Sequence, residues 1–432
     1  MLDRNLIRQD PDLVRAGASR KGVEAPVDEF LRIDEQWRHA QHAFEELKAE
    51  LNQVSKTIGA LMGQGKRDEA EAARGRAAEL KSKTQELEEQ AGALEKELGR
   101  LELKFPNLPH ESVPDGKTPE ENVVVREWGE KPTFAEGPKP HWELAEQFGL
   151  IDFDRASKVS GSGFAVYTGT GARLQRALIQ FMLDLQTQEN GYTEVYPPAL
   201  VLPEALVGTG NLPKFEEDLY KTQDGLYLIP TAEVPVTNLY AGEILDWTDL
   251  PVKLAAFTPC FRREAGAAGA DTRGILRTHQ FEKVELVKFV LPEVSYDELE
   301  SLTADAEAVL QALGLHYRVV LLCAGDMGEK GCKCYDLEVW SPGTGRYLEV
   351  SSCTNFEAYQ ARRANIRFRR AAGDRPEFVH VLNGSGLAVP RLFASLIESY
   401  WISHSDEIVV PEPLVPYVGE SVIRRPAPGQ KG

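Results

Sequence analysis

The chain has 432 residues, 42% of them hydrophobic, enough for a large core and more than one domain. Against 49 Lys and Arg stand 67 Asp and Glu, a net charge of −18, so a globally basic nucleic-acid binder is excluded and only a local basic patch stays open. No apolar run has the length of a membrane span, the N-terminus lacks a signal-peptide pattern, and the five cysteines, an odd count, read as reduced thiols. A cytoplasmic protein with neither membrane nor DNA as partner is expected.

Residues Leu2 to about Arg20 read as a short folded lead-in. A heptad then begins: Phe30, Ile33, Trp37, Ala40, Phe44, Leu47, Leu51, Val54, Ile58 and Leu61 alternate steps of three and four. A turn is predicted at Met62-Gly63-Gln64-Gly65-Lys66, where glycine lets the chain reverse. The pattern resumes at Ala70, Ala73, Ala77, Leu80, Thr84, Leu87, Ala91, Leu94, Leu98, Leu101 and Phe105, and Pro106 and Pro109 stop it. Two helices pairing along one seam predict an antiparallel coiled-coil hairpin over about 27–105, each helix about 50 Å long at 1.5 Å per residue. Lys56, Lys66, Arg67, Arg74, Arg76, Lys81 and Lys83 lie off the seam.

The stretch 107–140, rich in Pro, Gly and charge, is expected to link an N-terminal domain (1–106) to a second domain (141–432). In that domain Ala172 to Asn190 reads as a helix, and Gly191 to Pro198 as a strand ended by prolines. Pro230-Thr231-Ala232-Glu233-Val234-Pro235 follows. An apolar strand, Phe257-Thr258-Pro259-Cys260-Phe261, then delivers Arg262, a fixed cation suited to phosphate or carboxylate. Period two places Glu264 on the same face. After a Gly/Ala-rich, charged loop from Gly266, a second strand carries Phe281 and Glu285. A carboxylate inside Val284-Glu285-Leu286-Val287 needs a partner, and a ligand amine or hydroxyl is one. The Cys332-Lys333-Cys334 pair has no Cys or His at useful spacing, so no zinc is expected. Glu349-Val350-Ser351-Ser352-Cys353-Thr354-Asn355-Phe356 and Leu382-Asn383-Gly384-Ser385-Gly386-Leu387-Ala388-Val389-Pro390-Arg391 complete the series. Pro390 should set Arg391 at a helix N-terminus.

In this order the segments 172–198, 257–286 and 382–391 resemble motifs 1, 2 and 3 of the class II aminoacyl-tRNA synthetases, and their wording is similar to that of the seryl-tRNA synthetases over nearly the whole chain. The resemblance implies an α+β fold: the N-terminal coiled-coil hairpin plus a catalytic domain of antiparallel sheet flanked by helices. It implies ATP-dependent attachment of L-serine to tRNA(Ser) through a seryl-adenylate, with tRNA(Sec) as a further expected substrate. The hairpin would bind the tRNA, ATP would be a substrate, Mg²⁺ a cofactor, and motif 1 would form a homodimer interface. Carried over residue by residue, Arg262 and Arg391 are the catalytic arginines, Arg262 on the α-phosphate and the serine carboxylate. Thr231, Ala232, Glu233, Arg262, Glu285, Asn383 and Ser385 are expected to bind L-serine. Arg262, Arg263, Glu264, Thr278, Phe281, Glu349, Val350, Ser351, Ser352 and Arg391 are expected to hold ATP, with Phe281 stacked on the adenine, and Glu349 and Ser352 to hold Mg²⁺. Gly384 and Gly386 are expected to let backbone approach the nucleotide.

Position 263 is Arg where the family often has a small polar residue, and the basic tail Arg424 to Lys431 has no counterpart in the resemblance. Two alternatives stay open. A class II amino acid ligase charging a carrier protein would generally lack the arm. A non-enzymatic coiled-coil homologue would carry a damaged ATP site.

Overall fold

The structure is a computed structural model and describes residues 1–265 and 273–426. The motif 2 loop from Gly266 to Thr272, and the tail from Ala427, lie outside the described residues. The chain divides into two units, 1–19 with 23–106, and 20–22 with 107–432.

The first unit is helical. Asp3 caps α1 (Arg4–Gln9) by accepting from Asn5 N–H, and Pro11 opens α2 (Pro11–Arg20), where its missing N–H costs nothing. The arm consists of α3 (Val27–Gly63) and α4 (Arg67–Glu102), whose first turns carry Asp28 and Glu29, and Asp68 and Glu69, favourable against the helix dipole. Gly65, at φ +75°, makes the reversal. Every predicted seam position is buried or half-buried, so the heptad fixes which faces meet. At 37 residues α3 runs about 55 Å. Phe30 packs edge-on against Phe105 at 5.6 Å. Polar contacts lock the base of the arm: Arg8 to the fully buried Asp34 at 2.5 Å, and Arg4 to Glu95 at 2.7 Å and to Glu102.

The second unit is built on an eight-stranded sheet. Its strands in chain order are β1 (Val123–Trp128), β2 (Thr193–Glu194), β3 (Val252–Phe261), β4 (Gln280–Val290), β5 (Tyr317–Leu321), β6 (Lys333–Ser341), β7 (Arg346–Asn355) and β8 (His380–Ala388). The spatial order is β1-β5-β6-β7-β8-β4-β3-β2, antiparallel throughout except β2 on β3. Helices α5 (Gly169–Gln188), α6 (Ser295–Ala312) and α7 (Val389–Ser399) cover one face. Along β4 the alternation is clean. Val284, Leu286 and Val290 join Leu178, Leu302 and Phe393 in the helix-side core, while Val287 and Phe289 face a second cluster with Val236 and Phe368. Phe281, Lys283 and Glu285 share that second face, as period two requires. Among the described residues no helix is long and apolar enough to cross a membrane.

Two expectations need correction. The stretch 107–140 is not a free linker: Val123-Val124-Val125 opens β1, which pairs with β5, because β-branched residues suit a strand even between Pro- and Gly-rich flanks. Within Gly191 to Pro198 only Thr193 and Glu194 are strand, since Pro197 and Pro198 have no N–H for a ladder.

Candidate active site

One cavity, of about 280 Å³, opens on the sheet face away from the helix layer and gathers most of the predicted residues. Thr231, Glu233, Arg262, Glu264, Thr278, Phe281, Glu285, Glu349, Val350, Ser352, Asn383, Ser385 and Arg391 line it. Ala232, Arg263 and Ser351 are not among its lining residues. Ala232 is fully buried in the cluster with Val236, and the Ser351 hydroxyl donates to the Ser385 carbonyl at 2.6 Å. The Arg263 side chain is exposed, and its N–H donates to the Asp218 carbonyl at 2.9 Å.

At one end the walls carry two buried carboxylates, each beside a lysine. Register places Glu285 of β4 between Ala256 of β3 and Ser385 of β8. Its carboxylate accepts from Asn383 Nδ2 at 2.7 Å and Thr231 Oγ1 at 3.3 Å, and pairs with Lys283 Nζ at 2.5 Å. Lys283 also donates to Thr231 Oγ1 at 2.8 Å. Burial pushes the Glu285 carboxyl up from its ordinary range, and the Lys283 ammonium pulls it back. Thr231 Oγ1 further accepts from Glu233 N–H at 3.2 Å. The Glu233 carboxylate is held by Gln360 Nε2 at 2.5 Å and lies 3.4 Å from Lys330 Nζ. Two carboxylates, two hydroxyls and an amide in one pocket match a small ligand bearing an ammonium and a hydroxyl.

The other end is cationic and aromatic. The Arg262 guanidinium lies 5.2 Å from the Phe281 ring centroid, and its Nε donates to the Pro230 carbonyl at 3.3 Å. Arg391, in the first turn of α7 just after Pro390, donates to the Glu349 carbonyl at 2.7 Å and lies 3.4 Å from the Glu349 carboxylate. Glu264 pairs with Arg277 at 2.7 Å. Strand β3 ends at Phe261 and Glu264 sits at φ +50°, so it reaches the cavity through a left-handed turn and not along a strand face as expected. Gly384 and Gly386 also differ from expectation. A Cβ on them would meet Cys353 Sγ at 2.8 Å and Val284 Cγ1 at 3.0 Å, so they make room for side chains of the core, not for a nucleotide. Cys332 hydrogen-bonds with the Tyr296 hydroxyl at 3.2 Å, and Cys334 with Ser352 and Thr354, both at 3.1 Å.

Sequence reasoning missed Lys283, Lys330, Gln360 and Arg277 as site residues. Lys283 had a signal, two positions before Glu285 on one strand face. Lys330 and Gln360 come from a loop and a short helix whose direction no local pattern gives.

Residues 214–400 match the family described as tRNA synthetase class II core domain (G, H, P, S and T), and residues 1–109 match the seryl-tRNA synthetase N-terminal domain. A serine–tRNA ligase of Caldicellulosiruptor saccharolyticus is 57% identical over 427 residues, 98% of this chain and 100% of that protein. One from Bacillus subtilis is 53% identical over 428 residues, 99% of this chain and 100% of that protein. Among solved structures, a seryl-tRNA synthetase from Pyrococcus horikoshii complexed with ATP superimposes with a TM-score of 0.92, at 37% identity, over 99% of this chain and 100% of that one.

Proposed function

Because the chain belongs to the seryl-tRNA synthetase family of class II, we propose that its cavity joins L-serine to ATP and that its helical arm binds the tRNA that receives the serine. It is a serine–tRNA ligase. The observation that carries the site assignment is one cavity holding both a buried Glu233/Glu285 pocket and an Arg262/Phe281/Arg391 wall.

In the first step a serine carboxylate oxygen forms a bond to the ATP α-phosphorus, and the bond from that phosphorus to the bridging oxygen of pyrophosphate breaks. Positioning and charge stabilisation supply most of what such a transfer needs. Glu233 and Thr231 receive the serine ammonium, and Glu285, Asn383 and Ser385 its hydroxyl. A pocket built to hydrogen-bond a hydroxyl rejects alanine and glycine, because its buried polar groups would go unpaired. Arg262, beside Phe281 and bonded to the Pro230 carbonyl, holds the carboxylate and the α-phosphate as charge builds. Phe281 offers a stacking face to adenine, Glu264 an acceptor for its amino group, and Arg391 a cation for the outer phosphate. In the second step a terminal adenosine hydroxyl of the tRNA attacks the activated carbonyl and adenylate leaves.

Glu349 and Ser352 present hard oxygens that suit Mg²⁺, which takes few protein ligands when phosphates supply the rest. Ser352 neighbours Cys334 and stands opposite Asp336 on β6. Burial and the nearby Glu349 push the Asp336 carboxyl well above the ordinary range, so a cation there would favour its ionised form. When bound there, the ion would neutralise phosphate charge.

On the arm, Lys56, Lys66, Arg67, Arg74, Arg76, Lys81 and Lys83 are all exposed and suit an RNA backbone. Three of them already pair within the arm: Lys66 with Glu69, Arg74 with Glu71 and Arg76 with Glu50. We assign tRNA(Ser) to this surface, and tRNA(Sec) as a second substrate. A homodimer through the motif 1 region is supported by Val159 and Tyr196, apolar side chains each 81% exposed on either side of α5 in the chain. Five buried free thiols suit a reducing cytoplasm. The test is ATP–pyrophosphate exchange with each of the twenty amino acids, then transfer to tRNA(Ser) and tRNA(Sec). Serine-dependent exchange and transfer are expected, and exchange driven by another amino acid would overturn the pocket assignment.

A further inference from the structure

One wall of the serine end is the loop 327–331, and its backbone is gripped from outside the cavity. Lys21 is buried, and its Nζ donates to the carbonyls of Gly328 at 2.9 Å, Glu329 at 3.3 Å and Gly331. An ammonium has three N–H donors, so these three carbonyls saturate it. Asn107 holds the same loop. Its N–H donates to the Glu329 carbonyl at 2.8 Å and its Nδ2 to the Lys330 carbonyl at 3.0 Å. Four consecutive carbonyls are thus fixed by two side chains that neither line the cavity nor touch a ligand site.

What the loop carries into the cavity is Lys330. Its ammonium stands 3.4 Å from the Glu233 carboxylate and 3.5 Å from Asn211 Oδ1. Glu233 is the carboxylate assigned above to the serine ammonium. A like charge this close tunes how strongly Glu233 holds a second ammonium, and its position depends on the loop backbone. Gly331 shows how tight the seat is, since a Cβ there would meet Thr354 Cγ2 at 2.8 Å.

We propose that Lys21 and Asn107 are positioning residues for amino acid binding: they clamp loop 327–331 so that Lys330 stands at a fixed distance from Glu233. The proposal rests on Glu233 as the partner of the serine ammonium. Burial lowers the Lys21 ammonium to about 7, the facing Glu329 carboxylate favours its charge, and the facing Cys332 and Cys334 thiols, both pushed up by burial, are neutral in this range. The clamp is complete below that value. Above it the amine keeps two N–H donors and one carbonyl is released.

The test uses the full chain and serine-dependent ATP–pyrophosphate exchange. Lys21→Met should raise the serine KM about tenfold and leave the ATP KM and kcat within about twofold. Lys21→Arg, which stays charged, should recover most of the loss. The serine KM of the parent, divided by that of Lys21→Arg, should rise between pH 6.5 and 8.5, a ratio in which the titration of serine itself cancels. Adding Lys21→Met to Lys330→Ala should cost less than it does alone, because both act on one contact. If Lys21→Met does not fold, as judged by its melting transition, Asn107→Ala carries the same readout. An unchanged serine KM in a folded variant overturns the clamp, and so does an equal loss for serine and ATP. Glu233→Gln separates the two levels. If it leaves the serine KM unchanged, the pocket assignment fails. If it raises the serine KM and the Lys21 and Asn107 variants do not, the clamp alone fails.

Discussion

Lys283 pulls the Glu285 carboxyl back toward ionisation in a place where burial, the larger effect, pushes it up. Replacing Lys283 by Met removes the pull and lets the carboxyl rise further. The neutral acid attracts a polar ligand less strongly than the carboxylate does. The serine KM of Lys283→Met should therefore rise about tenfold near pH 7 and fall again as pH increases toward 8, since a raised carboxyl ionises at higher pH. Exchange kinetics between pH 6 and 8 read this directly, and a pH-independent defect would rule the account out. Arg262→Ala removes a cation from the aromatic end of the cavity, beside Phe281. Losing a donor of this kind costs about 10²–10³ in rate, so adenylate formation should drop by that factor. Near-normal exchange in that variant would mean that motif 2 has been misassigned.

At the level of the helices, the arm's base depends on a buried charge. Asp34 is fully buried and accepts from Arg8 at 2.5 Å and Arg38 at 3.0 Å. Burial opposes its ionisation, but the two guanidinium groups outweigh burial and hold its carboxyl below the ordinary range. Removing the charge of a buried carboxylate that two partly exposed guanidinium groups hold costs about 2 kcal/mol, so Asp34→Asn should lower the melting temperature of the helical unit at pH 7. The folded carboxyl is depressed, so the stabilisation is complete above the unfolded value of about 3.9 and disappears as pH falls through the folded one. The parent and Asp34→Asn should then converge in acid. Equal melting at pH 7 would show that the pair contributes nothing. A similar local device serves α7, where Pro390 in the first turn presets the helix that presents Arg391.

For the molecule as a whole, the clusters around the sheet draw on residues of the second unit. The arm's outer half can then be removed without disturbing the cavity. Excising Leu47 to Thr84, with a short glycine link, keeps the base contacts of Arg4, Arg8, Asp34, Glu95 and Glu102. Serine-dependent exchange should persist within about twofold, while transfer to tRNA should fall by at least tenfold. Full aminoacylation by the shortened protein would remove the arm from tRNA recognition and return the coiled coil to a scaffold role.

What the sequence settled by itself is what short-range periodicity encodes. Steps of three and four from Phe30 to Leu61 and from Ala70 to Phe105 specify two helices and the faces that meet, because 3.6 residues per turn brings i, i+3 and i+4 together. Alternation along β4 puts Phe281 and Glu285 on one side of a sheet for the same kind of reason, but period two carried past the end of β3 misplaced Glu264, which sits in a left-handed turn. Pro390 before Arg391 gave a helix start. The rest depended on contacts between distant segments. Lys283 gains its meaning only from Thr231, 52 positions away, and Gln360 only from Glu233, 127 positions away. The direction of Gly384 and Gly386 depended on which layer packed against β8, and the role of Val123-Val124-Val125 on β5 offering an open edge. The grip of Lys21 on loop 327–331 spans more than 300 positions and uses backbone carbonyls, which every residue has and no sequence pattern marks. Only the folded chain, by bringing those groups within hydrogen-bond distance and excluding water from them, decides which of them meet.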